Sequence, residues 1–247
     1  MFEDRALKRL IELAVEEDVG SGDWTTELTV EPEALGEAVV VAKAPVVVAG
    51  TPAAVQVFRQ IDPKLKVTLH AHDGDALAPE EELVGLEGRL RGILTAERIA
   101  LNFLGRLSGI ATLTREFVKA VEGTGTKIVD TRKTTPGWRS LEKAAVRAGG
   151  GHNHRAGLHD MILVKDNHLV SAGGITRAVE RVRAGNRAGL EVEVEINTLE
   201  ELEEVLPLQV DRILLDNMDL EVMREAVSRI RAVGEGRALA EASGNMT

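Results

Sequence analysis

The sequence has no cysteine and no tyrosine, and its aromatic residues are limited to four phenylalanines and two tryptophans in 247 residues. Without cysteine, the chain can form no disulfide bond, no thiol nucleophile and no thiolate metal site. It also lacks any run of roughly 20 apolar residues, the length that a membrane helix needs. The N-terminal stretch is charged and amphipathic, without the apolar segment of a signal peptide. These absences predict a cytoplasmic enzyme.

Acidic residues outnumber basic ones by 40 to 30, which gives a formal net charge of −10. A nucleic-acid-binding domain is usually basic overall, so this balance argues against that class of function. Residues 130–168 depart from the balance, because they hold seven Lys or Arg residues against four Asp or Glu, and four of the six His residues. A local cationic cluster in an acidic protein predicts a pocket for a small, strongly anionic ligand.

The first 95 residues or so have the pattern of a small α+β domain. Apolar spacing predicts a helix over residues 4–18 and another over 51–61, with Thr51 as its cap. Between and after these helices, β-rich runs separated by Gly and Pro predict mostly antiparallel strands, the last of them reaching Leu94. We therefore expect a sandwich-like α+β domain.

Two helices are predicted next. The first spans residues 95–107 with Thr95 as its N-cap, so that Arg98 lies in its first turn. The second follows Ser108-Gly109 and spans about 110–121. We expect the N-terminal domain to occupy residues 1–109 and the second domain to occupy residues 110–247.

From residue 126 onward, runs of strand length alternate with helical patterns. This alternation predicts parallel strands joined by right-handed crossovers, with the active site at the C-terminal ends of the strands. A closed TIM-like barrel needs more strands than are predicted, so we expect an incomplete barrel or a natural protein that continues past Thr247. The predicted strands span residues 127–130, 161–165, 190–196, 212–216 and 238–242.

Cationic residues follow the first two of these strands. Thr131, Arg132 and Lys133 come directly after the first, where two adjacent cations can clamp a carboxylate or a phosphate. Lys165 ends the second, where an ammonium group can bind phosphate or form a Schiff base. Ser243-Gly244 follows the last strand and suits a phosphate bound by helix N-terminal amides. The alternative for Arg132 and Lys133 is a pair of solvated loop residues.

A glycine run, Gly149–Gly151, leads into a loop that contains His152, His154 and Arg155. Glycine allows a backbone to approach a ligand closely, and we expect His154 and Arg155 to contact an anion. His152 and His154 could instead bind zinc as a His-x-His pair, although such a pair usually ends a strand rather than following glycines.

Carboxylates occupy the next two strands. Glu191, Glu193 and Glu195 share one face by their period of two, and three interior carboxylates would repel one another unless some are solvated or engaged. Asp216 ends the following strand. Glu193 and Asp216 could hold sugar hydroxyls or Mg²⁺, while Asp216 could alternatively cap the next helix. Together, these residues favour a phosphorylated sugar and a polycarboxylate as ligands.

The sequence resembles the quinolinate phosphoribosyltransferase family, also called carboxylating nicotinate-nucleotide pyrophosphorylases. The matching stretches span most of the chain in the family's order, and the long central one is highly specific. They are EDVGSGDWTTE, TAERIALNFLGRLSGIAT, DTRKTTPGWRSLEKAAVRAGGGHNHRAGLHD, ILVKDNH, EVEV, ILLDN and EASGN.

The resemblance implies an N-terminal α/β domain, an incomplete α/β barrel and a homodimer in which Arg98 reaches the partner's active site. Family members continue with a further strand and a further glycine-containing phosphate loop. The resemblance also implies roles for individual residues. Quinolinate carboxylates and phosphates would be bound by Arg132, Lys133, His154, Arg155 and Lys165, the ribose and Mg²⁺ by Glu193 and Asp216, and the 5′-phosphate by Ser243 and Gly244.

Three other interpretations remain open from sequence. The chain could be a paralogue that transfers phosphoribose to a related acid, as family members of molybdate-uptake operons would. It could be a metal-dependent barrel hydrolase that uses His152, His154 and Asp216, in which case the purified protein would contain stoichiometric zinc. It could also be a non-catalytic barrel that binds phosphoribosyl pyrophosphate without releasing pyrophosphate.

Overall fold

The computed structural model describes residues 2–233 and 238–244, and their side chains from Arg5 onward. The chain divides into two compact units, residues 1–156 and 157–247. In the described residues, no helix combines the length and the apolar character needed to cross a membrane. The domain boundary expected near residue 109 stays a prediction.

The first unit has the mixed α+β character that the sequence predicts. Strands β1, β5 and β3 form an antiparallel sheet in that order, and β2 pairs with β4, also antiparallel. Its elements are α1 (Phe2–Val19), α2 (Trp24–Thr29), β1 (Leu35–Val41), β2 (Val46–Val47), α3 (Thr51–Ile61), β3 (Lys66–Leu69), β4 (Ala76–Leu77), β5 (Glu82–Arg89), α4 (Leu90–Ala120) and α5 (Arg139–Ala148).

Helix α4 differs from the prediction. It is one helix of 31 residues, so both the strand reaching Leu94 and the break at Ser108-Gly109 are wrong. The buried face of α4 continues through the expected break, and the Ser108 hydroxyl exchanges hydrogen bonds with the backbone of Ala49 instead of ending the helix. Thr95 is not a cap either, since its hydroxyl donates to Asp23 at 2.9 Å. Arg98 consequently lies in the third turn.

Helix α3 has the predicted bounds but a different cap. Gly50, with φ of 95°, is the N-cap, and Thr51 is the first helical residue. The carboxylate of Asp73 accepts hydrogen bonds from the amides of both residues and from the Thr51 hydroxyl. An acidic side chain from the turn before β4 therefore caps this helix from outside it.

The second unit confirms the predicted alternation of parallel strands and helices. Its strands hydrogen-bond in the order β6-β7-β8-β9, all parallel. Helix α6 was not predicted, and a 3₁₀ turn (Leu206–Leu208) follows α8. The elements are β6 (Ile162–Val164), α6 (Asp166–Ala172), α7 (Ile175–Gly185), β7 (Val192–Ile196), α8 (Leu199–Val205), β8 (Arg212–Asp216), α9 (Leu220–Ala232) and β9 (Leu239–Ser243).

The strand predicted over residues 127–130 is reduced to a single bridge. Val129 pairs in parallel with His152, both in the first unit, and the amides of His152 and Asp130 complete the pairing with the carbonyls of Ile128 and His152. The parallel α/β class is thus confirmed, while the first predicted strand is only a short extended segment.

The two faces of the parallel sheet differ in polarity. One face packs on the helices through residues such as Val164, Val194 and Ile213, which belong to a single apolar core with Val179, Leu202 and Ala226. Paired residues of parallel strands point to the same side. The registers Glu193↔Arg212, Glu195↔Leu214 and Asp216↔Ser243 therefore place the polar side chains together on the opposite face.

Asp62 anchors the junction of β5 and α4 in the first unit. Its buried carboxylate accepts hydrogen bonds from Arg89 Nε at 2.8 Å and from the Lys64 amide at 3.0 Å. The hydrogen bond from Arg89 lowers the pKa of Asp62 below its ordinary value, although burial opposes the shift.

We expect Asp62→Asn to lower the free energy of unfolding by about 1–2 kcal/mol at neutral pH, because it leaves an amide facing Arg89. Since the folded-state pKa is depressed, the wild-type advantage is complete above the unfolded pKa of about 3.9 and is lost as the pH falls through the folded-state pKa. Urea unfolding at several pH values measures this. Glu87→Gln, which breaks the exposed pair with Lys66, is the control and should barely move the midpoint. Equal losses in both variants would contradict the assignment.

Candidate functional site

The glycine run allows the loop to pack closely against α4. A Cβ atom on Gly149 would lie 2.5 Å from the Ala111 carbonyl oxygen, and one on Gly151 would lie 2.8 Å from the Thr114 methyl group. Arg115 fixes the same turn by donating to the Gly149 carbonyl at 2.8 Å. These glycines therefore have a structural role, since they seat the loop directly on α4, and their contact with a ligand stays a prediction.

The loop after Asp130 carries the predicted cations. The Nε of Arg132 is buried and has no hydrogen-bond partner among the described residues. Lys133 is exposed and makes no ion pair with another described residue, while its amide is held by the Thr131 hydroxyl at 3.0 Å. A buried donor without a partner is costly, so an oxygen of an anionic ligand would satisfy it.

Other arginines hold this loop in shape. Arg139, at the start of α5, donates to the Thr134 hydroxyl and to the backbone carbonyls of Arg132 and Ala156, at 3.1–3.3 Å. The side chain of Arg139 therefore links the loop after Asp130 to the end of the His154 loop.

A second clamp acts at Thr135. Arg106, on α4, donates to Glu142 and to Thr135, and its guanidinium lies 5.5 Å from the Trp138 ring centre. Trp138 in turn stacks on Phe103 at 4.8 Å between ring centres. Burial alone would raise the pKa of Glu142, but the hydrogen bonds from Arg106 and Thr135 lower it below its ordinary value.

The loop with the predicted His154 and Arg155 is tied to Asp130. The Asp130 carboxylate accepts from the Lys143 ammonium, the Asn153 amide and the His154 backbone amide. Thus two groups of predicted residues, Thr131–Lys133 and His154-Arg155, are joined through one carboxylate. Arg98 is separate from them, on the exposed side of α4.

In the second unit, β6 ends at Val164 rather than at the predicted Lys165, which directly follows the strand and pairs with Glu195. His168 caps α6, because its Nδ1 accepts from the Lys165 amide at 2.9 Å. Glu195 is buried on β7 and was not singled out from the sequence. Glu195 lies two residues after Glu193 on the same face of β7. This position, nearer the C-terminal end of the strand, could have identified it as a site residue.

The expected conflict among Glu191, Glu193 and Glu195 is reduced because two of them pair with basic side chains. Glu191 is exposed and pairs with Arg212 at 3.0 Å, and Glu195 pairs with Lys165. Glu193 is completely buried. It is in register with Arg212, four residues before Asp216, so roughly 13 Å separate Glu193 and Asp216 along the strand direction.

Asp216 and Ser243 come together at adjacent strand ends. The Ser243 hydroxyl donates to Asp216, and the Asn217 side chain donates to the other carboxylate oxygen at 2.7 Å. Gly244 has φ of 90°, and a Cβ there would lie 2.1 Å from the Asn217 side-chain oxygen. Only glycine fits this turn. Asn245, the last residue of the EASGN motif, lies outside the described residues.

Sequence reasoning missed the side chains that hold the cations in place. Asp130, Lys143 and Arg139 do so in the first unit, and Glu195 holds Lys165 in the second. Lys143 and Arg139 are part of the cationic stretch, so their charge was noticed, but nothing in the spacing separates a buried cation with a partner from one available to a ligand.

Comparison with known protein families gives a match over nearly the whole chain. Residues 23–108 match the family model described as quinolinate phosphoribosyl transferase, N-terminal domain. Residues 110–247 match the model of the C-terminal domain of the same enzyme.

Individual relatives agree with these models. A probable nicotinate-nucleotide pyrophosphorylase [carboxylating] of Synechocystis is 45% identical over 94% of this chain and 78% of its own length. A mitochondrial quinolinate phosphoribosyltransferase [decarboxylating] of Nicotiana glauca is 40% identical, covering 98% of this chain and 72% of the relative. The solved nicotinate-nucleotide pyrophosphorylase of Francisella tularensis superimposes with a TM-score of 0.92 at 37% identity, covering 98% of this chain and 84% of that one.

The packing of the glycine turn can be tested with alanine. We expect Gly149→Ala to destabilise the protein by about 1–3 kcal/mol, because the added methyl group overlaps a backbone oxygen of α4 that cannot rotate away. Gly185→Ala is the matched control, since no atom lies within 4 Å of its added methyl group at the end of α7. Thermal unfolding of both variants decides the point, and a Gly149→Ala protein as stable as the control would disprove the packing role.

Proposed function

The chain belongs to the quinolinate phosphoribosyltransferase family, and from that premise we propose its reaction and the roles of its residues. The protein transfers phosphoribose from phosphoribosyl pyrophosphate to quinolinate with loss of CO₂. The products are nicotinate mononucleotide and pyrophosphate, in the de novo synthesis of NAD.

The observation within the structure that best supports this function is the buried Nε of Arg132, which no described residue satisfies, beside an exposed Lys133 that makes no ion pair within the described part of the chain. Quinolinate carries two adjacent carboxylates, and a guanidinium can bind a carboxylate with two parallel hydrogen bonds. We assign quinolinate carboxylates and substrate phosphates to the cationic residues of the first unit, with a hydroxyl donor from Thr131. The set is Thr131, Arg132, Lys133, His154 and Arg155.

We assign the remaining contacts to the second unit. Ser243 and Gly244 would bind the 5′-phosphate, Lys165 a carboxylate or phosphate oxygen, and Glu193 and Asp216 the ribose and Mg²⁺. Asp216 suits Mg²⁺ because this ion usually binds one or two carboxylates together with substrate phosphates. The separation of Glu193 from Asp216 along the strands argues against direct ligation of one ion by both, so at least one of them acts through water or on the ribose.

The chemistry follows from charge. The pyridine nitrogen of quinolinate forms a bond to C1 of the ribose as the C1–oxygen bond to pyrophosphate breaks, through an oxocarbenium-like transition state. Lys133 and Lys165 stabilise the negative leaving group, and Glu193 and Asp216 offset the positive charge of the ring. Bound Mg²⁺ would add positive charge at the pyrophosphate.

Decarboxylation then needs little from the protein. The new pyridinium nitrogen lies next to the carbon that carries the C2 carboxylate. When CO₂ departs, its bonding electron pair remains on that carbon beside the cationic nitrogen, and a proton completes the product. The residues of the carboxylate clamp therefore have to position the dianion without stabilising it so strongly that the barrier rises.

Assembly and location go beyond the family assignment. We propose a homodimer in which Arg98, exposed on α4, contributes to the partner's active site; a larger oligomer built from such dimers would keep this arrangement. The cytoplasmic location expected from the sequence also stays a prediction.

Arg132→Ala tests the carboxylate clamp. With quinolinate, phosphoribosyl pyrophosphate and Mg²⁺, wild-type protein should release CO₂ and form nicotinate mononucleotide, whereas the variant should lose quinolinate binding almost wholly. Arg181→Ala, at an exposed position of α7, is the matched control and should retain wild-type turnover. Near-normal turnover by Arg132→Ala would remove this residue from the site, and an inactive wild type would refute the function itself.

Subunit mixing tests the shared active site. Arg98→Ala and Lys133→Ala are each expected to be nearly inactive alone. If Arg98 acts across a twofold interface, one site of each mixed dimer has both residues intact, so an equal mixture should regain about a quarter of wild-type activity. Mixing must include dissociation and reassociation of the subunits. If activity does not recover although subunit exchange has been proven, Arg98 and Lys133 either act in the site of the same subunit or lie outside the active site.

A further inference from the structure

We propose that Asp130 is the positioning residue of this enzyme: with Lys143 and Asn153, it sets the backbone geometry that aims the cations on both sides of the substrate carboxylates. The inference rests on the proposed function, because it assigns a task within the quinolinate clamp. It concerns a residue that touches other protein groups and acts on the ligand only through them.

Three donors converge on the Asp130 carboxylate. One oxygen accepts from the Lys143 ammonium and from the His154 backbone amide, the latter at 2.9 Å. The other accepts from the Asn153 side-chain amide. The side chains of Asp130 and Lys143 are only 8% and 5% exposed, so these contacts are made away from bulk water, where hydrogen bonds to a charged group are strongest.

The backbone of His154 is held from both sides by this pair. Its amide donates to Asp130, and its carbonyl accepts from Lys143 at 2.9 Å. Asn153 adds a third fixed point, because its amide also donates to the Lys143 carbonyl at 2.9 Å and its oxygen accepts from Arg147. With both peptide groups of His154 fixed, the directions in which the His154 and Arg155 side chains leave the backbone are fixed as well.

Asp130 is also covalently adjacent to the other half of the clamp. It immediately precedes Thr131, Arg132 and Lys133, and its own amide donates to the His152 carbonyl at 3.1 Å. A shift of this one residue would therefore move Arg132 relative to His154 and Arg155. Displacing a binding group by about 1 Å can cost on the order of 100-fold in rate or affinity.

Because Asp130 pairs with Lys143, the two buried side chains together carry no net charge. An unpaired carboxylate in this position would attract the cations that the dianionic substrate needs, and its burial would be costly. The lysine supplies a full compensating charge and a donor to the His154 carbonyl at once. A neutral residue in place of Lys143 could at best donate a hydrogen bond to the His154 carbonyl, and it would leave the charge of Asp130 uncompensated.

The experiment compares Asp130→Asn with Asp62→Asn, a buried carboxylate that pairs with Arg89 elsewhere in the first unit. Both variants should lower the unfolding midpoint. Only Asp130→Asn should raise the KM for quinolinate, by at least about 10-fold, with a smaller change in kcat at saturating substrate. Asp62→Asn should keep the wild-type KM. Equal KM values in the two variants would overturn the proposal, provided that the wild type is active.

The double variant Asp130→Asn/Lys143→Met separates positioning from stability. Replacing both members of a buried ion pair commonly restores stability. The double variant should therefore recover its unfolding midpoint but keep the raised KM, since methionine cannot hold the His154 carbonyl. Recovery of KM together with stability would show a purely structural role.

If Asp130→Asn does not fold, Asn153→Ala tests the same proposal, because it leaves the ion pair of Asp130 and Lys143 intact and removes one fixed point of the loop. A several-fold rise in the KM for quinolinate supports the proposal, and an unchanged KM overturns it. In every arm, an inactive wild type would refute the proposed function rather than the role of Asp130.

Discussion

The buried ion pair of Asp130 and Lys143 is the interaction on which the first unit's cationic loops depend. One carboxylate gathers a lysine, an asparagine and a backbone amide from a helix and a loop that are separate along the chain. Within the residues that the structure describes, the extended segment at Asp130 forms a single β-bridge. Side-chain hydrogen bonds therefore replace the backbone ladder that a full strand would have provided.

The cations of the central stretch divide into two groups with different tasks. Arg106, Lys143 and Arg139 are engaged with Glu142, Asp130 and backbone carbonyls, and they give the loops their shape. Arg132 and Lys133 keep donors that the described residues do not satisfy. An acidic protein can thus offer strong local positive charge to an anion, because the framework around it is already neutralised. Donors fixed in advance need little reorganisation when charge develops in the reaction.

Sequence periodicity predicted the strands of the second unit well, because one face of each strand is buried against the helices. Strand β8 (Arg212–Asp216) has the predicted bounds. Helix α4 was divided wrongly, since Ser108-Gly109 is a typical stop signal and the buried contact of Ser108 with Ala49 is a long-range one. Likewise, the pairing of Lys165 with Glu195 follows from the register of β6 against β7, and strand register is a property of pairing that one chain segment does not reveal.

The contact of Gly149 and Gly151 with α4 has a consequence for how this enzyme can change over generations. Both glycines lie directly against the side chain of Thr114, so a bulkier residue at that helical position would push the loop that ends in His154 and Arg155. Substitutions in α4 that adapt the enzyme to a new growth temperature therefore also affect its affinity for a dicarboxylate. Substitutions at Gly149, Gly151 and Thr114 are therefore coupled, and related enzymes should show these positions varying together or not at all.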